Sequence, residues 1–395
     1  MAVTPLNSGT RKTALNIAIV APLFESVPPK LYGGTERVVS FLTEELVRQG
    51  HTVTLFASGD SLTSGRLHAC TAESLRLGAN PLDPFVSQLA HIVLMQQVIS
   101  QAPQFDVIHF HVDHFHLPVF EGRGLPVVST LHGRLDVPLL PEIYSNTKDM
   151  PLVSISRAQR RPLPSAQWIA TIHHGLPIDL LAFTPGKGSY LAFLGRISPE
   201  KRLDRAIRIA RGAGLPLKVA AKIDQADKVY FKESIRPLLQ EPGVEFIGEI
   251  GDREKSSFLG GALATLFPID WPEPFGLVMI ESLACGTPVI AFRGGSVSEI
   301  LQHGSTGFVV DNEKDAIQAV QRIETIGRSR CRKAFEQRFT ARRMAHDYVS
   351  VYRTVRSHHL HRLQSMDHAN TIEQTKASLP SRAMVSRRAP LEPLT

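Results

Sequence analysis

Two glutamates, Glu273 and Glu281, frame a segment running from Pro268 to Glu281, and the residues around them indicate how they could act together. Pro272 and Pro274 hold the approach extended, so Glu273 falls on a loop. A helix is expected to begin near Phe275, and its first turn leaves the main-chain amides of Gly276, Leu277 and Val278 without intrahelical acceptors. Gly276 allows a ligand close to the backbone. Free amides and the helix dipole both favour negative charge, which makes such a terminus an anion site. Glu281 lies further along the same helix, within reach of groups flanking that anion. A diphosphate with a sugar on one side and a ribose on the other has this layout. Two glutamates near a helix start also occur incidentally; the flanking prolines, phenylalanine and glycine give the segment its weight.

A second cluster runs from Gly195 to Lys201 at the end of a strand, where doubly wound sheets bind their ligands. Arg196 can fork onto phosphate oxygens, and Lys201 adds a positive charge near a leaving group. Arg202, Arg205 and Arg208 continue the pattern as a solvated basic helix face. Gly33 and Gly34 follow the first strand and suit either a turn or a loop that approaches phosphates or an acceptor. His132 ends another strand, in Leu131-His132-Gly133, as a site residue or as a capping or core histidine.

A further run, His109, His111, Asp113 and His114, has the residue types and spacing of a zinc ligand set, which would make the chain a hydrolase. Its later ligands could come only from His173, His174 and Asp179, and the rest of the chain does not read as that fold. A cleft lining or a packed strand end explains the run better. No Gly-x-Gly-x-x-Gly or Gly-x4-Gly-Lys motif is present, which removes dehydrogenase and P-loop readings. The Gly294-Gly295-Ser-Val-Ser stretch lacks the closing glycine of a nucleophile elbow.

Strands and helices in alternation must position these residues. β-branched runs at 16–22, 52–57, 106–109, 126–130, 152–155 and 168–173 are separated by helical stretches such as 34–50 and 84–101, the pattern of a parallel sheet covered on both faces. The segment from Gly175 to Gly188, with Pro177 and Pro185, reads as a linker. Strands then recur at 189–195, 217–221, 244–247, 264–268 and 288–291, with helices at 203–212, 228–239, 253–261 and 275–285. Glycines at 294–295, 304 and 307 read as turns, with Glu299 a minor site candidate. Beyond Glu313 the chain is helical and arginine-rich to about Leu363, and the tail past Met366 reads as disordered.

A chain of 395 residues, 43% hydrophobic and 21% charged, is globular material for two domains. No run reaches membrane-spanning length, and the first apolar stretch, Leu15 to Phe24, reads as a strand rather than a secretory signal. Three scattered cysteines, Cys70, Cys285 and Cys331, suggest a reducing cytoplasm. The net charge of +7 lies in the second half, which suits a diphosphate but also weak contact with acidic lipid or nucleic acid. Arg157, Arg160 and Arg161 could touch lipid headgroups or form an ordinary solvated face.

The Glu273–Glu281 segment, with Arg196, Lys201 and the glycine-bearing turns, resembles the retaining glycosyltransferases of family 4 over roughly residues 16 to 350. The resemblance implies an α/β protein of the GT-B fold: two Rossmann-like doubly wound domains facing across a cleft, with a C-terminal helix crossing back to the first. The expected division is an acceptor-side domain over 1–180, a nucleotide-sugar domain over 181–345, the returning helix over 346–365 and the tail over 366–395. It further implies that Glu273 holds the donor sugar's hydroxyls, Glu281 the ribose, Gly276 to Val278 the diphosphate, and that His132 orders the sugar. Phe275 and Ile250 complete the donor site, with backbone of 246–250 reading the base. A UDP-sugar is preferred over GDP- or ADP-sugars as donor, and no metal or other cofactor is expected. The acceptor would be a small molecule, glycan or lipid-linked group, not nucleic acid, with peripheral contact at the inner membrane face as an extension. A phosphorylase of the same fold, or a nucleotide-sugar-binding protein without transfer activity, is the alternative reading. Two departures stand out: Val219-Ala-Ala-Lys222 replaces a glycine-rich turn, and Trp271-Pro272 replaces small or polar residues.

Overall fold

The computed structural model describes residues 14–30, 33–76, 83–147 and 149–377. Two fully parallel sheets dominate it. The first contains β1 (Asn16–Val20), β2 (Thr52–Ser58), β3 (Arg66–Thr71), β4 (Val107–Phe110), β5 (Val127–Leu131), β6 (Leu152–Ser154) and β7 (Trp168–Thr171), in the spatial order β3-β2-β1-β4-β5-β6-β7. The second contains β8 (Tyr190–Arg196), β9 (Leu217–Lys222), β10 (Val244–Gly248), β11 (Ala262–Phe267), β12 (Val289–Phe292) and β13 (Gly307–Val310), ordered β10-β9-β8-β11-β12-β13. In each sheet the winding reverses beside the first strand, between β1 and β4 and between β8 and β11. Such switch points open crevices at the carboxyl ends of the strands.

Alternation along β1 shows why it must be sandwiched. Ile17 and Ile19 enter one apolar cluster, with Val38, Leu42 and Leu46 of the Gly34–Arg48 helix, while Ala18 and Val20 enter another, with Leu94, Met95 and Val98 of the Pro84–Gln101 helix. A strand whose two faces are both apolar has no solvated side, so helices must cover both. Asp83 starts the second of these helices by accepting the Phe85 amide at 2.8 Å, with Pro84 in the first turn.

The long helix Ala341–Ala377 returns to the first sheet, where Met344, Tyr348 and Tyr352 are fully buried in the cluster around Ile17 and Ile19. It already contributes Met344 and Ala345 to that cluster, so the return begins ahead of residue 346. Helix also continues to Ala377, through the first part of the segment expected to be disordered; residues 378–395 lie outside those described. The chain crosses between the sheets twice at one place. Leu176 N–H donates to Phe339 O at 2.9 Å and Ala341 N–H to Leu176 O at 2.7 Å. A side chain on Gly175 would begin 2.3 Å from Thr340 O, so only glycine permits this approach.

Three expectations change. Residues 66–71 form an edge strand whose Arg66, His68 and Thr71 hide any apolar alternation. The single helix expected over 228–239 is instead a short α-turn, a π-turn at Phe231–Ile235 and a 3-10 turn at Leu238–Gln240, and Pro237, lacking an N–H, interrupts the ladder. Residues 307–310 are a strand, although Gly307 read as a turn.

Candidate active site

A cavity of about 450 Å³ lies between the carboxyl ends of the two sheets, a size that suits a small organic ligand. It is lined by Gly33, Gly34 and His132 from the first sheet's side, and by Arg196, Lys201, Ile250, Glu273, Phe275, Gly276, Leu277, Val278 and Glu281 from the second; of the 246–250 segment expected to read a base, only Glu249 and Ile250 line it.

The helix carrying Glu281 runs from Leu277 to Ala284, two residues later than expected, because Gly276 takes φ 81° as its N-cap. Pro274 and this left-handed glycine keep Phe275 outside the helix. The ladder opens with Met279 N–H donating to Gly276 O at 3.0 Å, which leaves the Leu277 and Val278 amides ahead of it. From the opposite wall, a side chain added to Gly34 would stand 3.8 Å from Leu277 Cδ1. The open helix terminus therefore faces a wall kept bare by glycine.

Both glutamates are buried and both meet a lysine. Lys201 Nζ donates to Glu273 Oε2, and Trp271 Nε1–H donates to the same oxygen at 2.9 Å. The Lys201 ammonium also sits 4.7 Å from the centre of the Trp271 ring, on its face. Trp271, a departure when read in sequence, is thus a scaffold for the pair. The loop bearing Glu273 is fixed from behind by Ser296, whose N–H donates to Glu273 O at 2.9 Å and whose hydroxyl donates to Phe275 O at 2.7 Å. Deeper in the cavity Lys255 donates to Glu281 Oε1 at 2.7 Å and approaches Asp252 at 3.3 Å. Sequence reading missed Lys255; its only local signal is the Asp252–Lys255 spacing, and tertiary packing alone brings it to Glu281. Arg196 reaches Glu200 at 2.6 Å and Asp227 at 3.4 Å while lining the cavity, and Lys222 lines it as well.

Residues 183–341 match the glycosyl transferases group 1 family and residues 32–176 match glycosyltransferase family 4, so the matched segments fall on the two halves that form the cleft. The chain belongs to glycosyltransferase family 4. This family-4 glycosyltransferase is 24% identical to a glycogen synthase of Mycobacterium tuberculosis, over 82% of its own length and 93% of the relative's. It is 25% identical to a phosphatidyl-myo-inositol mannosyltransferase of Propionibacterium freudenreichii, over 78% and 86%. Among solved structures it superposes on AviGT4, a glycosyltransferase of avilamycin A biosynthesis, with TM-score 0.68, 24% identity and coverage of 87% and 98%. Anabaena Alr3699/HepE, solved in complex with UDP and glucose, gives TM-score 0.64 at 18% identity, over 86% and 100%. The fold is therefore GT-B, with two Rossmann-like domains.

The first-domain wall of this glycosyltransferase includes His132 and His174 beside Gly33, Gly34, Arg37 and Arg134, and further buried histidines stand behind it. His109 is fully buried, with Nδ1 2.7 Å from Tyr352 OH and Nε2 2.8 Å from Thr130 Oγ1; Thr130 in turn meets Tyr348 OH at 2.9 Å. His111 Nδ1 lies 2.8 Å from His132 Nε2, and the His132 ring stacks on His174 with centroids 5.3 Å apart. Phe275, from the loop after Glu273, meets the His174 ring edge-on at 4.7 Å. Burial pushes His132 down to about 3 and holds His109, His111 and His174 well below the usual imidazole range, so all four are neutral at neutral pH.

These contacts replace the zinc reading of His109, His111, Asp113 and His114. Both nitrogens of His109 are occupied by hydroxyls, and Asp113 accepts the His132 main-chain amide. Among the described residues no three His, Cys, Asp or Glu side chains converge as metal ligands. Glu299 is likewise no cavity residue. It accepts the Arg157 and Ala158 amides at 2.8 and 2.7 Å and lies 3.4 Å from His173, clamping one domain to the other. Arg37 crosses the cleft in the same way to pair with Asp252. Arg160 bonds Ser154 at 2.8 Å and covers Trp168, and no described helix is long and apolar enough to cross a membrane.

Proposed function

We propose that this glycosyltransferase takes its sugar from a nucleoside-diphosphate donor, a UDP-sugar in preference to GDP- or ADP-sugars. Transfer to the acceptor proceeds with retention at the anomeric carbon and without a divalent ion. The observation that carries this reading is the meeting of Lys201 and Glu273 beside the open amide terminus at Leu277. In this reading the diphosphate rests on the Leu277 and Val278 amides, with Arg196 and Lys201 offsetting the charge that develops as it leaves. Glu273 accepts sugar hydroxyls through Oε1, because Lys201 and Trp271 both hold Oε2. Glu281, oriented by Lys255, accepts from the ribose, and the 246–250 backbone, of which Glu249 and Ile250 line the cavity, reads the base. The acceptor enters from the Gly33–Gly34 side and attacks from the face the diphosphate leaves. Support for uridine comes from the fold relative solved with UDP and with UDP-glucose.

A thermal-shift panel of UDP-, GDP- and ADP-sugars, with and without EDTA, tests the reading. A cognate donor at about a hundred times its Kd adds about 2.7 kcal/mol of apparent stability. The expected result is a shift for UDP-sugars that EDTA leaves unchanged, followed by transfer to a trial acceptor with the anomer read by NMR. Release of sugar 1-phosphate from a glycoside and phosphate would make the protein a phosphorylase, and binding without turnover would make it a sensor.

A further inference from the structure

Four charges of alternating sign run from the first domain to Glu281. Arg37, three residues after Gly34 on the helix Gly34–Arg48, directs Nη1 to Asp252 Oδ2. Asp252 opens the helix Asp252–Gly260, and Lys255 stands one turn further on, on the same face, with Nζ 3.3 Å from Asp252 Oδ1. Lys255 Nζ also donates to Glu281 Oε1 at 2.7 Å. The side chains of Arg37, Lys255 and Glu281 are only 13%, 11% and 6% exposed, yet all three line the cavity, so what one of them meets bears on the others and on a ligand. Lys255 stands between two carboxylates, and its position is decided by what else each of them meets. The hydrogen bond goes to Glu281, while Asp252 Oδ1, although buried, has no hydrogen-bond partner. Arg37 explains the choice, because it holds the other oxygen of Asp252 and offsets its charge.

We infer that Arg37 is a positioning residue for the nucleotide's ribose: by neutralising Asp252 from across the cleft it leaves Lys255 to Glu281, whose Oε2 is thereby held to accept ribose hydroxyls. The inference rests on the donor reading above for the ribose, but not for the arrangement of the four charges. Without Arg37 the set has two carboxylates and one ammonium, and nothing offsets the attraction of Asp252 for Lys255. Asp252 is one turn away on the same helix, so the ammonium reaches it by turning its own side chain, with no movement of the backbone. Glu281 then loses the donor that fixes its carboxylate. Arg37 comes from the first domain and the other three from the second, so ribose recognition depends on the two halves being joined, and by linkage a bound ribose favours their joining. The two lysine-glutamate pairs of the cavity thus differ in their support. Trp271 braces Lys201 and Glu273 from within the second domain, whereas Lys255 and Glu281 are braced from the first.

Calorimetric titration of the full chain compares UDP with its dideoxyribose analogue, and the ratio of the two affinities measures what the ribose hydroxyls contribute. In Arg37→Met this ratio is expected to fall about tenfold, the worth of one hydrogen bond. Adding Asp252→Asn removes the competing carboxylate and is expected to restore the ratio, a rescue that a merely structural role for Arg37 would not give. Arg37→Gln, which also lacks the charge, takes the place of Arg37→Met if the latter fails to fold. An unchanged ratio in the folded variant overturns the inference, including equal losses for both nucleotides, the signature of a direct phosphate contact. A loss that Asp252→Asn does not restore overturns it as well. Ligand-free crystals of the Arg37 variant read the arrangement without any nucleotide: Lys255 Nζ is expected on Asp252, and an ammonium still bonded to Glu281 counts against the inference. Failure of both nucleotides to bind the wild type would remove the donor reading, and the ribose role with it, while the crystals would still decide the four-charge arrangement.

Discussion

The two walls of the cleft differ in how they arrange charge and neutral groups. The second domain presents charge: Lys201 with Glu273, Lys255 with Glu281, and Arg196 beside an open helix terminus. The first presents the neutral imidazoles of His132 and His174 and bare glycine backbone, with its charge confined to Arg37, paired with Asp252, and Arg134, paired with Asp136. On the proposed reading the second wall, which holds the paired lysines and the open helix terminus, takes the diphosphate, and the first takes the sugar. On that reading the second domain binds and discharges the leaving group, and the first shapes the space where the sugar is approached.

If that division is correct, substitutions on the two walls differ in size. Glu273→Ala and Lys201→Ala are each expected to reduce transfer by about a hundredfold to a thousandfold, with melting curves that stay cooperative, whereas His132→Gln costs about tenfold, the worth of one neutral hydrogen bond. Comparable losses from both walls in steady-state assays would erase the contrast.

Acid should break the first domain before the second. His109, His111, His116, His132 and His174 are all pushed below the ordinary histidine value of 6.5, His116 and His132 to about 3, mainly by burial. Their folded values are depressed, so the unfolded chain binds protons first, and stability is lost as pH falls below 6.5. Each histidine contributes up to about 1.4 kcal/mol per pH unit. Glu36 opposes this, since burial raises its carboxyl from 4.5 to about 7 and folding then takes up a proton across that window. Urea midpoints are expected to fall steadily from pH 7 to 5, with loss of first-domain amide protection in hydrogen exchange preceding loss in the second; uniform loss would contradict this.

The smallest effect probes the returning helix. Tyr352→Phe removes the hydroxyl facing His109 Nδ1 and leaves that nitrogen buried without a partner, which should cost about 1–2 kcal/mol in urea unfolding. An unchanged midpoint would mean the hydroxyl network adds nothing to the first wall.

Much of the charged wall was legible in sequence, because prolines, a glycine and two glutamates within one segment carry both the local geometry and the chemistry. The histidines of the other wall were not. His111 and His132 sit 21 residues apart and touch only because β4 and β5 are neighbours in register, His109 with Val128. The Tyr352 contact spans 243 positions. Read along the chain, the same histidines mimicked a metal site. Lys255 was hidden for a similar reason, since it acts on a residue 26 positions away. The fold was readable wherever strands were buried on both faces, and failed at the half-exposed edge strand 66–71 and at the Pro237 interruption, where polar composition and a missing amide override the pattern.

The double crossing at Gly175 and Thr340 gives the two halves a shared axle rather than two separate pivots. Sliding one half along the other would tear the Leu176 bonds to Phe339 and Ala341, while swinging about that line leaves them intact. Any such swing would also have to release the Glu299 bonds to the Arg157 and Ala158 amides and the Arg37–Asp252 pair, so the line through a glycine that nothing larger can replace is where the two halves would turn once those clamps let go.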